Sequence, residues 1–316
     1  VLSLGASHFP ASLSERLTGG VLKAELYCYG WVITDAMSMG AIMNYFSQEE
    51  AATMALAAGA DLIIFPPDPN KYSQAIQNAV TNGTLSEDRL NDAVRKVLRA
   101  KSRLGLQNNR FVDPENVSSV LKSDEHVRLS NRAAAESIVL YRDNLDRLPI
   151  DLSGLSVTLL QVGDLGFPPY TSRGQALTTE LENRCKSLET FHIGGTPLDD
   201  DYAAIAKASG TSDLLLCSTF VTVTASKNRI DLTDMQKDLI DALRPFKEKA
   251  ILLVFGSPYT AASFPWFDTV VIGCDTLWEM QRAAIRSVEG ESEFKGKLPV
   301  LLDRYKSEVD EFYLYR

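Results

Sequence analysis

An apolar, β-branched run that stops on a carboxylate constrains this chain more than any other feature. Gly30-Trp31-Val32-Ile33-Thr34 leads straight into Asp35-Ala36-Met37-Ser38-Met39-Gly40. A parallel strand covered on both faces reads as a continuous apolar run, so residues 30–34 are expected to form one. Folds that alternate strands and helices place their chemistry just past the C-terminal ends of such strands. Asp35 stands at that point. It also has a plainer reading, because an Asp closing a strand is often a turn former or the cap of the next helix.

The flanking pattern alternates strand and helix as far as about residue 110. A helical pattern covers 14–26, and the strand at 30–34 follows it. Ser47 and Glu50 form a capping box that opens a helix to 58. A strand at 62–65, a helix at 71–80 and a long amphipathic helix at 86–104 complete the series. In the last, Leu90, Val94, Val97, Leu98 and Leu104 recur at helical spacing. These segments read as consecutive βα units. The basic residues Arg95, Lys96, Arg99, Lys101 and Arg103 read as a solvated helix end.

Residues 108–120 read as a linker and short turn, followed by a helix at 124–137 and a strand at 138–141. A second series begins near 155. Its strands fall at 157–162, 190–193, 214–218, 251–255 and 270–272, and its helices at 176–185, 199–208, 233–243 and 276–288. Asp231 or Thr233 caps the third of these helices. This is the pattern of an open α/β sandwich. The expected organisation is therefore a first domain over 1–110, a connector over 111–150 and a second domain over 151–316.

A chain of 316 residues suits one or two domains. A formal net charge of −9 argues against a nucleic-acid footprint, which needs a basic face. No window of about 18 apolar residues offers a membrane span. Cys28, Cys185, Cys217 and Cys274 show no C-x-x-C spacing. Cys217 and Cys274 close apolar runs and read as small buried hydrophobes. His8, His126 and His192 are too dispersed for a metal site, and no cofactor is expected. Gly194-Gly195-Thr196-Pro197 either turns the chain or offers backbone amides to an anion, without the P-loop lysine. Asp199-Asp200-Asp201 reads as chemistry at a helix N-terminus. Trp31, Trp266 and Trp278 are candidates for stacking on sugar rings or for core packing.

Three segments carry a family resemblance. Leu22-Lys23-Ala24-Glu25-Leu26 leads into the Asp35 block, with Lys23 where an Arg is usual and Cys28 at a variable position. Residues 58–66 and Gly296-Lys297-Leu298-Pro299-Val300 supply the other two. On these residues the chain resembles bacterial family 3 glycoside hydrolases, above all their β-N-acetylglucosaminidase branch. The resemblance implies a retaining, exo-acting enzyme with Asp35 as nucleophile, and an N-acetylglucosamine-containing substrate derived from peptidoglycan or chitin. It places Met37, Met39 and His8 at the substrate site. A β-glucosidase or β-xylosidase of the same family, or a non-catalytic carbohydrate-binding or structural module, are the alternatives.

The proton donor of that branch is a His/Asp dyad near a KHFPGHG motif. Neither is found in this sequence, and Ser7-His8-Phe9-Pro10 stands where the family has an earlier strand. A (β/α)8 TIM barrel needs eight strands in about 250 residues, whereas three βα units precede residue 110. The resemblance therefore implies an α/β chain consisting of the C-terminal portion of a TIM barrel followed by the sandwich. The N-terminal part of the barrel, or a second copy of the chain, is then the expected partner. The cellular compartment stays open.

Overall fold

The computed structural model describes residues 9–165, 173–222 and 230–302. His8 and the apolar start at 1–4 lie outside the described residues. The chain divides into two compact units, Val1–Val117 and Ser118–Arg316.

In unit 1 a helical segment, Arg16–Glu25, precedes β1 (Ile33–Ala36), α1 (Gly40–Met43), α2 (Gln48–Ala58), β2 (Leu62–Ile64), α3 (Pro69–Thr81) and α4 (Glu87–Arg103). The first segment is wound wider than an α-helix, with Leu26 N–H donating to Val21 O five residues back. Local sequence chemistry sets the ends of the others. The Ser47 hydroxyl accepts from Glu50 N while the Glu50 carboxylate accepts from Ser47 N, and the helix stops at Gly59 with φ +115°. Asp68 caps α3 ahead of Pro69. Ser86 caps α4, which carries Glu87 and Asp88 in its first turn and Lys101 and Arg103 in its last. β1 and β2 pair in parallel. Leu13, Met37, Ile42, Ala51, Ala52, Ala55, Tyr72 and Ala75 form the apolar cluster beside them.

The connector read at 111–150 holds α5 (Val117–Val120), α6 (Asp124–Ser137) and β3 (Val139–Asp143). β3 lies at the edge of the unit 2 sheet, pairing antiparallel with β8 (Thr269–Gly273). The other strands are β4 (Ser156–Gly163), β5 (Ser187–Ile193), β6 (Leu214–Val221) and β7 (Ala250–Gly256), all parallel, in the order β3-β8-β7-β6-β4-β5. β5 lies on one side of β4 and the later strands on the other, so the sheet is doubly wound.

Alternate residues of the central strands sort onto two faces. Leu215, Cys217, Leu252 and Val254 join one apolar cluster, with Ile205, Leu239 and Ile240 of α8 (Asp199–Thr211) and α9 (Asp234–Asp241). Leu214, Leu216, Phe220, Leu253 and Phe255 join the other. That face is covered by α7 (Gln175–Glu182) and α11 (Trp278–Val288), and α10 (Thr260–Ser263) is a single turn after β7. Two glycines shape the strand ends. A Cβ on Gly163 or Gly256, both at positive φ, would overlap the carbonyl oxygen of Phe220 or Val221 on β6.

Several sequence expectations need correction. Cys217 is buried, but Cys274 is exposed, because it follows the last residue of β8 instead of closing the strand interior. Trp31 and Trp278 are partly exposed, while Trp266 stacks on Phe267 at 3.8 Å and donates to Asp241 Oδ1. Thr233, not Asp231, caps α9, and Asp231 pairs with Lys237 and Ser263. Leu198 is the residue before α8, so the three aspartates fill its first turn, with Asp201 accepting from Leu198 N.

Phe220 is fully buried and stacks on Phe255 with ring centroids 5.1 Å apart. Phe220→Ala is expected to lower unfolding stability by about 3–5 kcal/mol through the cavity it leaves. Urea unfolding of the variant beside the parent chain measures this, and a loss under about 1 kcal/mol would contradict the packing described.

Candidate active site around Asp35

Asp35 lies within β1, not beyond its end. The strand is shifted from 30–34 to Ile33–Ala36 because its partners on β2 are Leu62 for Ile33 and Ile64 for Ala36. The two-sided burial expected of this run is not seen. Val32 and Thr34 are buried, whereas Trp31, Ile33 and Asp35 are exposed. The alternation has a period of two, so these three residues share one face of the strand. Neither apolar cluster of the described unit 1 residues contains Trp31, Ile33 or Asp35.

The Asp35 carboxylate is fixed locally. Its Oδ1 accepts the Ala36 N–H at 2.7 Å, which leaves the second oxygen toward solvent. The helix-cap reading does not apply, since α1 begins after Met39 and no side chain caps it. The two methionines part company. Met37 N–H donates to Ile64 O, and its side chain is fully buried in the apolar cluster. Met37 therefore packs the core, which corrects its expected place against substrate. Met39 follows a turn in which its N–H bonds Ala36 O, and it is exposed. The structure thus leaves Asp35, within β1, and Met39, beyond it, accessible, and His8 lies outside the described residues.

A second carboxylate was not singled out from sequence. Asp61, just before β2, has a fully buried side chain and meets three cations: Arg89 at 2.8 Å, Lys96 at 3.1 Å and Lys23 at 3.4 Å. Its Oδ2 also accepts the Val32 N–H at 3.0 Å. Arg89 in addition donates to Leu56 O at 3.0 Å and to Ala60 O. Burial pushes the Asp61 carboxyl up, but the Val32 hydrogen bond and the surrounding cations outweigh it and hold the group below the usual carboxylate range. Burial is also the main cause that lowers the Lys23 ammonium. Lys96 is thus no part of a solvated face, which corrects the reading of the basic stretch. The signal in sequence was Ala58-Gly59-Ala60-Asp61 itself, a charge closing a small-residue turn at a strand start.

Asp61 and Asp35 mark opposite ends of the parallel pair. Asp61 precedes β2 and holds the amide of Val32 just before β1, while Asp35 points from the far part of β1. Where parallel strands are built into αβ units, the N-terminal end carries stability and the C-terminal end chemistry. Asp61 stands at the first of these ends and Asp35 toward the second.

Residues 3–100 match the family model described as the glycosyl hydrolase family 3 N terminal domain. Over this segment the chain resembles glycoside hydrolase family 3. The match contains Asp35, Asp61 and all three of the Asp61 cations. The chain is 26% identical over 141 residues to a β-N-acetylglucosaminidase/β-glucosidase of Cellulomonas fimi, covering 45% of the chain and 25% of that protein. It is 34% identical over 200 residues to thermostable β-glucosidase B of Acetivibrio thermocellus, covering 63% of the chain and 22% of that protein. Among solved structures it resembles a family 3 β-N-acetylglucosaminidase from Paenibacillus sp.. The TM-score is 0.77 at 25% identity, over 94% of this chain and 56% of that one. The chain thus spans a quarter or less of these two relatives and just over half of that structure.

Asp61→Asn removes the charge that faces Arg89, Lys96 and Lys23. It is expected to destabilise unit 1 by about 3 kcal/mol at neutral pH, the cost of breaking a buried ion pair from one side. The pH dependence has a definite sign. The folded carboxyl titrates below its unfolded value of about 3.9, so its contribution is present above that value and is lost as pH falls through the lower folded one. Chemical unfolding from pH 7 down to pH 3 should show the parent and Asp61→Asn curves converging in acid. A constant gap across that range would contradict the assignment.

Proposed function

We propose that this chain carries the nucleophile of a retaining β-glycosidase and that Asp35 is that nucleophile. The observation that carries the proposal is the accessible Asp35 carboxylate, held on a paired strand within the segment that matches the family model. In a retaining glycosidase a carboxylate attacks the anomeric carbon through an oxocarbenium-like transition state and forms a glycosyl ester. A second group about 5–5.5 Å away protonates the departing oxygen and then activates water. Asp35 suits the first role. One oxygen is oriented by the Ala36 amide, and the other is free to attack.

N-acetyl-β-glucosaminides from peptidoglycan or chitin are the proposed substrates. The motifs around Asp35 and the likeness over 94% of the chain to the Paenibacillus β-N-acetylglucosaminidase support them. A β-glucoside or β-xyloside is the second reading, favoured by the 34% identity to the Acetivibrio β-glucosidase and by a β-xylosidase of Formosa agariphila matched over 97% of this chain. The proton donor is proposed to come from barrel strands outside this sequence, because the branch's KHFPGHG motif is not found in it. Those strands would also cover the exposed Trp31-Ile33-Asp35 face, since a parallel sheet is normally covered on both sides.

Hydrolysis of p-nitrophenyl N-acetyl-β-glucosaminide, β-glucoside and β-xyloside tests both the role and the sugar. The 316-residue chain alone is expected to turn over little. In the polypeptide that supplies the remaining barrel strands, Asp35→Asn should lower kcat by several orders of magnitude, on the order of 5 kcal/mol in barrier, with the fold unchanged. Parent-like turnover by the Asn variant would overturn the nucleophile. A higher kcat/KM on the glucoside or xyloside would overturn the proposed sugar and leave Asp35 in place.

A further inference from the structure

We propose that Thr34 is the positioning residue for the Asp35 carboxylate, acting through a side-chain bond that pins β2 inside a bulge of β1. This rests on the reading of Asp35 as the reacting group. Between the paired positions Ile33–Leu62 and Ala36–Ile64, β1 places two residues, Thr34 and Asp35, against a single residue of β2, Ile63. The extra residue makes a bulge. Bulges of this kind occur at barrel rims and beside active sites, where they re-aim a side chain.

The hydrogen bonds around the bulge show what holds it. Leu62 N–H donates to Val32 O at 3.3 Å, as a regular parallel ladder requires. The next amide of the same parity, Ile64 N–H, would find the Thr34 carbonyl in a regular ladder. In the bulge it reaches the Thr34 side chain, donating to Oγ1 at 3.1 Å. Ile64 O accepts from Met37 N–H at 3.0 Å. Ile64 is therefore gripped on both sides of Asp35, by the hydroxyl of the residue before it and by the amide two residues after it. The Thr34 side chain is buried on the core face, and Asp35 is thrown onto the opposite face.

The chemistry at Thr34 is specific. A hydroxyl on Cβ is a short side-chain acceptor that can reach the amide of the facing strand from within the bulge. Valine has the same shape and no acceptor, so it removes the side-chain bond that Ile64 N–H makes into the bulge. The bulge then loses its lock, and the ladder can return to regular register. A one-residue slip turns a strand's side chains to the other face, which would move Asp35 away from the exposed surface. Serine keeps the acceptor and loses only a methyl group.

Thr34→Val and Thr34→Ser in the full chain test this by amide hydrogen exchange at Ile64 and by three-bond couplings that report the Asp35 χ1 rotamer. In the parent chain and in Thr34→Ser, Ile64 should stay protected to within about threefold, and Asp35 should occupy one rotamer. In Thr34→Val, Ile64 exchange should rise at least tenfold, about the loss of 1.4 kcal/mol of protection, and Asp35 should average over rotamers while amides in α2 and α3 stay unchanged. Unchanged Ile64 exchange and Asp35 couplings in the valine variant would overturn the proposal. If valine does not fold, serine decides alone, because loss of Ile64 protection with the hydroxyl present also overturns it. Both readouts are independent of turnover, so a failure of Asp35 as nucleophile in the hydrolysis assays would leave the Thr34 result standing or falling by itself.

Discussion

The buried carboxylate of Asp61 is the interaction on which unit 1 depends. It gathers Lys23 from the first helical segment and Arg89 and Lys96 from α4, and it holds the amide of Val32 at the entry to β1. One side chain thus ties four segments at the start of the strand pair. Such a group is costly to bury unless its charge and its lone pairs are matched. Here Arg89 also satisfies the carbonyls of Leu56 and Ala60 that close α2 and lead into β2. Further along, Ile64 N–H donates to Thr34 Oγ1, and Asp35 is presented where the register shifts.

Unit 2 is organised differently. Its parallel strands are apolar along their length, and successive residues feed two separate clusters, one under each helical layer. Stability there comes from area and packing, with ion pairs such as Arg184 with Glu180 at the rim. The described residues of unit 1 hold two paired strands, tied at their entry by a charge cluster. The smaller unit leaves an aromatic and aliphatic face, Trp31 and Ile33, exposed beside its candidate reacting group.

Features governed by neighbours in sequence were readable without coordinates. The capping box at Ser47 and Glu50 and the α6 bounds follow from residues within one helical turn. The strands of unit 2 follow from apolar runs bounded by polar or small residues, although β6 and β7 run further than their most apolar stretch. What stayed hidden depends on distant partners. Asp61 meets Arg89, Lys96 and Lys23 across 28, 35 and 38 residues, so a basic stretch in α4 looked like a solvated end. Met37 and Met39 are alike in sequence, yet the turn closed by Met39 N–H on Ala36 O sends one into the core and leaves the other outside. The bulge at Thr34 has no local signature, because it is defined by the spacing of β2.

The central claim is that the Asp35 carboxylate forms a bond to the sugar. An activated N-acetylglucosaminyl fluoride bearing a ring fluorine slows hydrolysis of the ester, and its leaving group needs no protonation, so it reports the nucleophile apart from the proton donor. The measurement is mass spectrometry of the protein, with the remaining barrel strands supplied, after incubation with this reagent and proteolysis. The account predicts one added sugar, carried by the peptide that contains Asp35 and absent in Asp35→Asn. A sugar attached to any other carboxylate, or equal labelling of the Asn variant, would contradict it.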